Sequence, residues 1–108
     1  MRLLIDESIP EQIERHLLEF SPAVIRREGL KGLRNGVLLR AAVDRGFTVI
    51  FSADQSLRSQ QNLAKIGIGA VVIVNIRNRM QDIMPVLQKI KAAIRAAKPG
   101  EVIEVLPD

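Results

Sequence analysis

The chain has 108 residues, enough for one domain around one core, and 47% of them are hydrophobic, as in ordinary globular proteins. Cysteine is absent, which excludes disulfides and thiolate metal sites and fits a reducing cytoplasm. Sixteen basic residues against twelve acidic ones give a net charge of +4, a balance found both in nucleic-acid-binding proteins and in ordinary solvated surfaces.

The opening "MRLLIDESIP" predicts a first strand over residues 2–6, and the acids Asp6 and Glu7 disqualify it as a signal peptide. "SIPEQIERHLLEF" then reads as a helix, with Ser8 and Glu11 at capping-box spacing and Pro10 in the first turn. Ile13, Leu17 and Phe20 fall on its apolar face. "PAVI" is a second strand. The glycine-containing stretch from Arg26 to Arg34 reads as a basic loop.

Asn35 is a predicted N-cap for the helix "GVLLRAAVDRG", which Gly46 closes. "FTVIFS" is a third strand, rich in β-branched and aromatic residues. A polar helix follows through "DQSLRSQQNLAKIG". "AVVIV" is a fourth strand, apolar throughout, as in a parallel sheet covered on both faces. The clearest helix runs from about residue 81 to 97, with Pro85 in its first turn or at a kink. "EVIEVL" is a final edge strand. No apolar run approaches the roughly 20 residues of a membrane span, so a soluble, cytoplasmic protein without a membrane partner is expected.

This alternation predicts one domain over residues 1–108, a three-layer α/β/α sandwich with a mainly parallel sheet of about five strands. Sites in such sheets form beyond the carboxyl ends of the strands. Asp6 and Glu7 lie at the end of the first strand and Asp54 just after the third. If those strands are neighbours, the carboxylates converge, and a divalent cation is their natural partner, since clustered like charges otherwise repel. Each also has a plainer role: Asp54 as a helix cap, Asp6 in service of the same loop, Glu7 in solvent. His16 is the only histidine and reads as a surface or boundary residue. No Walker loop, GxGxxG pattern or Gly-x-Ser-x-Gly elbow is present, and Ser52, Ser56 and Ser59 have no obvious base beside them.

Taken together, "LLIDESIP", "RREGLKGLRNGVLLRAA" and "VIFSADQSL" resemble the short PIN-like proteins of bacteria, relatives of the toxin nucleases of toxin–antitoxin pairs. The likeness spans nearly the whole chain. It implies a PIN fold, Mg²⁺ or Mn²⁺ at clustered acids, RNA cleavage by activated water and an antitoxin protein as partner. Carried onto this chain, it makes Asp6 and Asp54 metal ligands and Glu7 a member of the same catalytic site. The family's further acids fall where this chain has Asn35, Gly36 and Ser56, so Asn35 and Ser56 line a reduced site that holds metal weakly. Asp6→Asn is then expected to abolish activity while leaving the fold standing.

Two other expectations complete the reading. Arg26, Arg27, Lys31 and Arg34 should contact RNA phosphates in a salt-sensitive way. The C-terminal helix carries Met80, Ile83, Met84, Leu87, Ile90 and Ile94, more apolar width than one sheet face needs, which predicts a homodimer or partner contact. The rivals are a non-catalytic PIN-like module that binds RNA or a partner, and a phosphoacceptor receiver domain. A receiver needs Lys-Pro after its fifth strand, whereas "KPG" here precedes the last one.

Overall fold

Five short strands run parallel in one sheet: β1 (Leu3–Ile5), β2 (Pro22–Val24), β3 (Val49–Ser52), β4 (Gly69–Ile73) and β5 (Val102–Val105). Their order is β2-β1-β3-β4-β5 in the computed structural model, which describes residues 1–59 and 62–108, the side chain of Asn35 excepted. The strands are almost wholly apolar because both faces of the sheet are covered. Leu3, Ile5, Phe51, Val71 and Ile73 point to one face, against Ile13, Leu17 and Phe20 and against Ile83, Ile90 and Ile94. The alternate residues Leu4, Ile50, Ala70 and Val72 point to the other, against Leu38, Leu39, Ala42 and Leu63. The two-residue period of a strand therefore builds two cores, and the fold is the expected α/β/α arrangement.

The helices depart from expectation in their regularity. The first predicted helix consists of two 3₁₀ segments, Glu11–His16 and Leu18–Phe20, although its buried face of Ile13, Leu17 and Phe20 is as expected. The Ser8–Glu11 capping box does not form: Pro10 holds the N-cap position without a side-chain bond, and the Ser8 hydroxyl is used elsewhere. The predicted basic loop opens with a 3₁₀ turn over Ile25–Glu28. Helix α1 (Asn35–Asp44) includes Asn35, and Arg34 occupies the N-cap position with extended backbone. Gly46 closes that helix at φ +89°, its N–H donating to the Val43 carbonyl.

The polar helix after β3 is a 3₁₀ segment, Gln55–Ser59, and the four-residue α2 (Leu63–Ile66); the part of that prediction falling on Gln60 and Gln61 lies outside the described residues. Pro85 divides the C-terminal helix into α3 (Met80–Ile83), a 3₁₀ turn (Met84–Val86) and α4 (Leu87–Ala96). Proline lacks the N–H an α-helix needs and its ring crowds the preceding turn.

The apolar face of this C-terminal unit is consumed internally. Ile83, Ile90 and Ile94 are fully buried, and Met80 and Leu87 pack against the same cluster. Met84 alone of the six is exposed. The surplus width that predicted a homodimer is therefore covered by the chain's own sheet. Strand β5 is an edge, as expected, and its exposed Glu104 pairs with Arg58 at 3.0 Å. Among the described residues, no helix is long and apolar enough to cross a membrane.

Candidate functional site at the β1–β3 switch point

From β1 the chain goes outward to β2, then returns to place β3 on the other side of β1. Connections leave β1 and β3 in opposite directions, and a crevice opens between their carboxyl ends. Ile5 is in register with Phe51, and Asp6 N–H donates to the Phe51 carbonyl at 2.9 Å. Asp6 thus stands directly beside the end of β3.

Its carboxylate organises the corner. Oδ2 of Asp6 accepts the hydroxyl protons of Ser8 at 2.6 Å and Ser52 at 2.8 Å. Ser8 Oγ accepts the Ala53 N–H at 2.9 Å, and Ser52 Oγ accepts the Asp54 N–H at 2.9 Å. A hydroxyl carries one proton, so with both protons given to Asp6 the 3.2 Å Ser8–Ser52 contact is a close approach within the network. Asp6 therefore ties the exit of β1 to the turn after β3 through two serines. Ser52 is 0% exposed, and this network is what satisfies its buried hydroxyl.

This corrects the reading of Ser52. A carboxylate does lie beside it, but the hydroxyl is sealed from solvent and both its proton and a lone pair are engaged. Ser8 and Ser52 are the residues that sequence reasoning missed. The available signal was a serine ending the otherwise apolar strand "VIFS", where a buried hydroxyl must find partners.

Beyond the corner lies a cleft of about 630 Å³ lined by Asp6, Glu7, Asp54, Ser56, Lys31 and Arg34, among others. It gathers the three expected carboxylates. Asp54 also does what a cap does: its Oδ1 accepts the Ser56 N–H at 2.9 Å, and its carbonyl accepts the Leu57 N–H. Asp54 Oδ2, Asp6 Oδ1 and the exposed Glu7 carboxylate have no hydrogen-bond donor among the described residues. Asp44 and Glu28 stand apart, Asp44 in a separate hollow beside Arg40 and Lys65, and Glu28 facing Arg45.

The four basic loop residues separate into two pairs. Arg26 makes a two-pronged ion pair with Glu11, at 3.1 and 2.7 Å, and Arg27 pairs with Glu14. The hydrogen bond from Arg26, reinforced by the charges of Arg26 and Arg27, holds the Glu11 carboxyl below its ordinary range. Lys31 and Arg34 line the cleft, and among the described residues no carboxylate pairs with either. Of the four expected phosphate contacts, Arg26 and Arg27 are matched by acids, while Lys31 and Arg34 line the cleft.

Asn35 was expected to line the cleft, and its side chain lies outside the described residues. Next to it, a Cβ on Gly36 would stand 3.3 Å from the Arg40 guanidinium. A cation is thus folded over a bare glycine.

The donor set sets a limit on metal. Among the described residues, no group of three or more Asp, Glu or His side chains is arranged to hold an ion. Mg²⁺ commonly takes only one or two carboxylates, with waters and substrate phosphates completing its shell. The unengaged oxygens of Asp6 and Asp54 fit that minimal demand, whereas a two-ion clamp does not fit. No protein-family model, curated protein or solved structure significantly matches the chain.

Proposed function

We propose that this chain is a PIN-like, ribonuclease-type protein with a reduced acidic site, the toxin-type member of a toxin–antitoxin pair. The observation that carries the nuclease reading is the single cleft in which Asp6, Glu7 and Asp54 meet Lys31 and Arg34. Acids and bases in one crevice suit a phosphodiester: the bases hold its phosphates, and the acids hold the cation that a phosphate oxygen shares. Asp6 and Asp54 are the residues that would hold one Mg²⁺ or Mn²⁺, with Glu7 beside them. Bound there, the ion would activate water and steady charge on the phosphate. Asp6 is fixed for this role because its other oxygen is anchored by Ser8 and Ser52. The toxin–antitoxin assignment rests on the resemblance of "LLIDESIP" and its companion motifs.

A second reading, a non-catalytic PIN-like module that binds RNA, is favoured by the same corner. One oxygen of Asp6 is already spent on serines, and Gly36 and Ser56 supply no carboxylate. A receiver domain shares the flavodoxin-like strand order, but Leu106-Pro107 stands directly after β5 where a receiver needs Lys-Pro, and "KPG" precedes that strand.

Mn²⁺ titration and RNA cleavage on the parent, Asp54→Asn and Ser56→Asp separate the two leading readings. The nuclease reading expects weak, metal-dependent cleavage, lost in Asp54→Asn with RNA binding kept, and tighter Mn²⁺ binding in Ser56→Asp. RNA binding without cleavage in any variant supports the module. A parent that binds no RNA at low salt overturns both.

A further inference from the structure

Resting on the RNA-binding reading above, we infer that Arg77 is a second phosphate anchor, so that an RNA strand crosses the carboxyl edge of the sheet from the Lys31–Arg34 side to the far side of β4. After β4 the chain turns at Asn75, at φ +58°, a left-handed conformation that asparagine tolerates. The turn presents Arg77, Asn78 and Arg79. Arg77 and Arg79, with Asp82 and Pro107, line a hollow of about 310 Å³. Arg79 is neutralised by Asp82 at 2.7 Å. Arg77 is exposed, and among the described residues no acid pairs with it.

The loop after β4 touches the loop after β1. The Asn78 side-chain amide donates to the Ser8 carbonyl at 3.0 Å, so the loop after β4 is joined to the loop that carries Asp6, Glu7 and Ser8. Lys31 stands near the ends of β1 and β2, where it shares a hollow with Ile5 and Val24. Arg77 stands beyond β4 and β5. Two strand spacings separate β1 from β4, roughly 10 Å. Cations carried at strand ends that far apart suit successive phosphates of one strand.

The aromatic inventory fixes the mode of binding. There is no Trp or Tyr, and all three phenylalanines, Phe20, Phe47 and Phe51, are buried. No aromatic platform is available for bases to stack on. Binding across this edge is therefore carried by phosphate contacts, tolerant of sequence and steeply dependent on salt.

Fluorescence anisotropy tests this with single-stranded oligouridylates of about four and about twelve nucleotides, both within the roughly 4–16 nucleotide site sizes of single-strand-binding OB folds. Arg77→Ala is expected to weaken the longer probe and leave the shorter unchanged, and to lower the slope of log affinity against log salt by about 0.7 for the longer one. Arg77→Lys restores most of the loss, because a phosphate contact needs the charge. Lys31→Ala weakens both probes. If Arg77→Ala binds the longer probe like the parent while Lys31→Ala weakens both, the second anchor is wrong and the RNA reading stands. If Arg77→Lys fails as Arg77→Ala does, the phosphate role is wrong. If the parent binds neither probe at low salt, both fall.

Discussion

Four cations stand between residues 26 and 34, and the fold treats them in two ways. Arg26 and Arg27 turn toward the first 3₁₀ segment and are matched by Glu11 and Glu14; Lys31 and Arg34 turn into the cleft and have no acid matched to them. The adjacent acids divide similarly. Asp6 spends one oxygen on holding two loops together, while Glu7, its neighbour, is exposed. Charge written in the sequence and charge available to a ligand are therefore different quantities, and the difference is decided by what each group faces across the fold.

The largest expected effect breaks this contrast at the acids. Asp6→Ala leaves the buried Ser52 hydroxyl without its acceptor and frees the Ser8 hydroxyl, and it should cost about 2 kcal/mol of stability in urea unfolding. Asp6→Asn keeps one amide oxygen as acceptor and should cost about 1 kcal/mol, so that variant is weaker than a reading based on carboxylate repulsion expects. Glu7→Ala should change stability by less than about 0.5 kcal/mol. An Asp6→Ala protein as stable as Glu7→Ala would show that the serine network holds nothing.

The smallest effect sharpens the contrast at the paired bases. Glu11 has its pKa lowered by the Arg26 hydrogen bond, so its stabilisation is present above the ordinary glutamate range and lost as pH falls through the lowered folded value. The acid limb of a urea-midpoint against pH plot should flatten in Glu11→Gln, most at low salt, because the pair is exposed. An identical limb in parent and variant would remove the ion pair as a feature of the fold in solution.

Much of the architecture was legible because strands buried on both faces write continuous apolar runs, as "VIFS" and "AVVIV" do. That Asp6 and Asp54 line one cleft followed from their positions after strands one and three. Helix regularity was not legible. Local spacing marks which residues face the core, as with Ile13, Leu17 and Phe20, but not whether the backbone closes 3₁₀ or α turns around them. Ser8 was misassigned because its spacing to Glu11 is a valid local cap, and the competing partners, Asp6 Oδ2 and the Ala53 N–H, are brought to it by β1–β3 pairing. The division of the four basic residues was hidden for the same reason: Glu11 and Glu14 reach Arg26 and Arg27 through tertiary packing.

On the proposed reading, Lys31 and Arg34 hold RNA phosphates and the paired Arg26 and Arg27 do not. The direct measurement is the salt dependence of RNA affinity for the parent, for Lys31→Ala with Arg34→Ala, and for Arg26→Ala with Arg27→Ala. The account predicts that the first double variant lowers the slope of log affinity against log salt by about 1.4, two phosphate contacts on a single strand, while the second leaves it near the parent's. Equal losses in the two double variants, or a larger loss when Arg26 and Arg27 are removed, would contradict it.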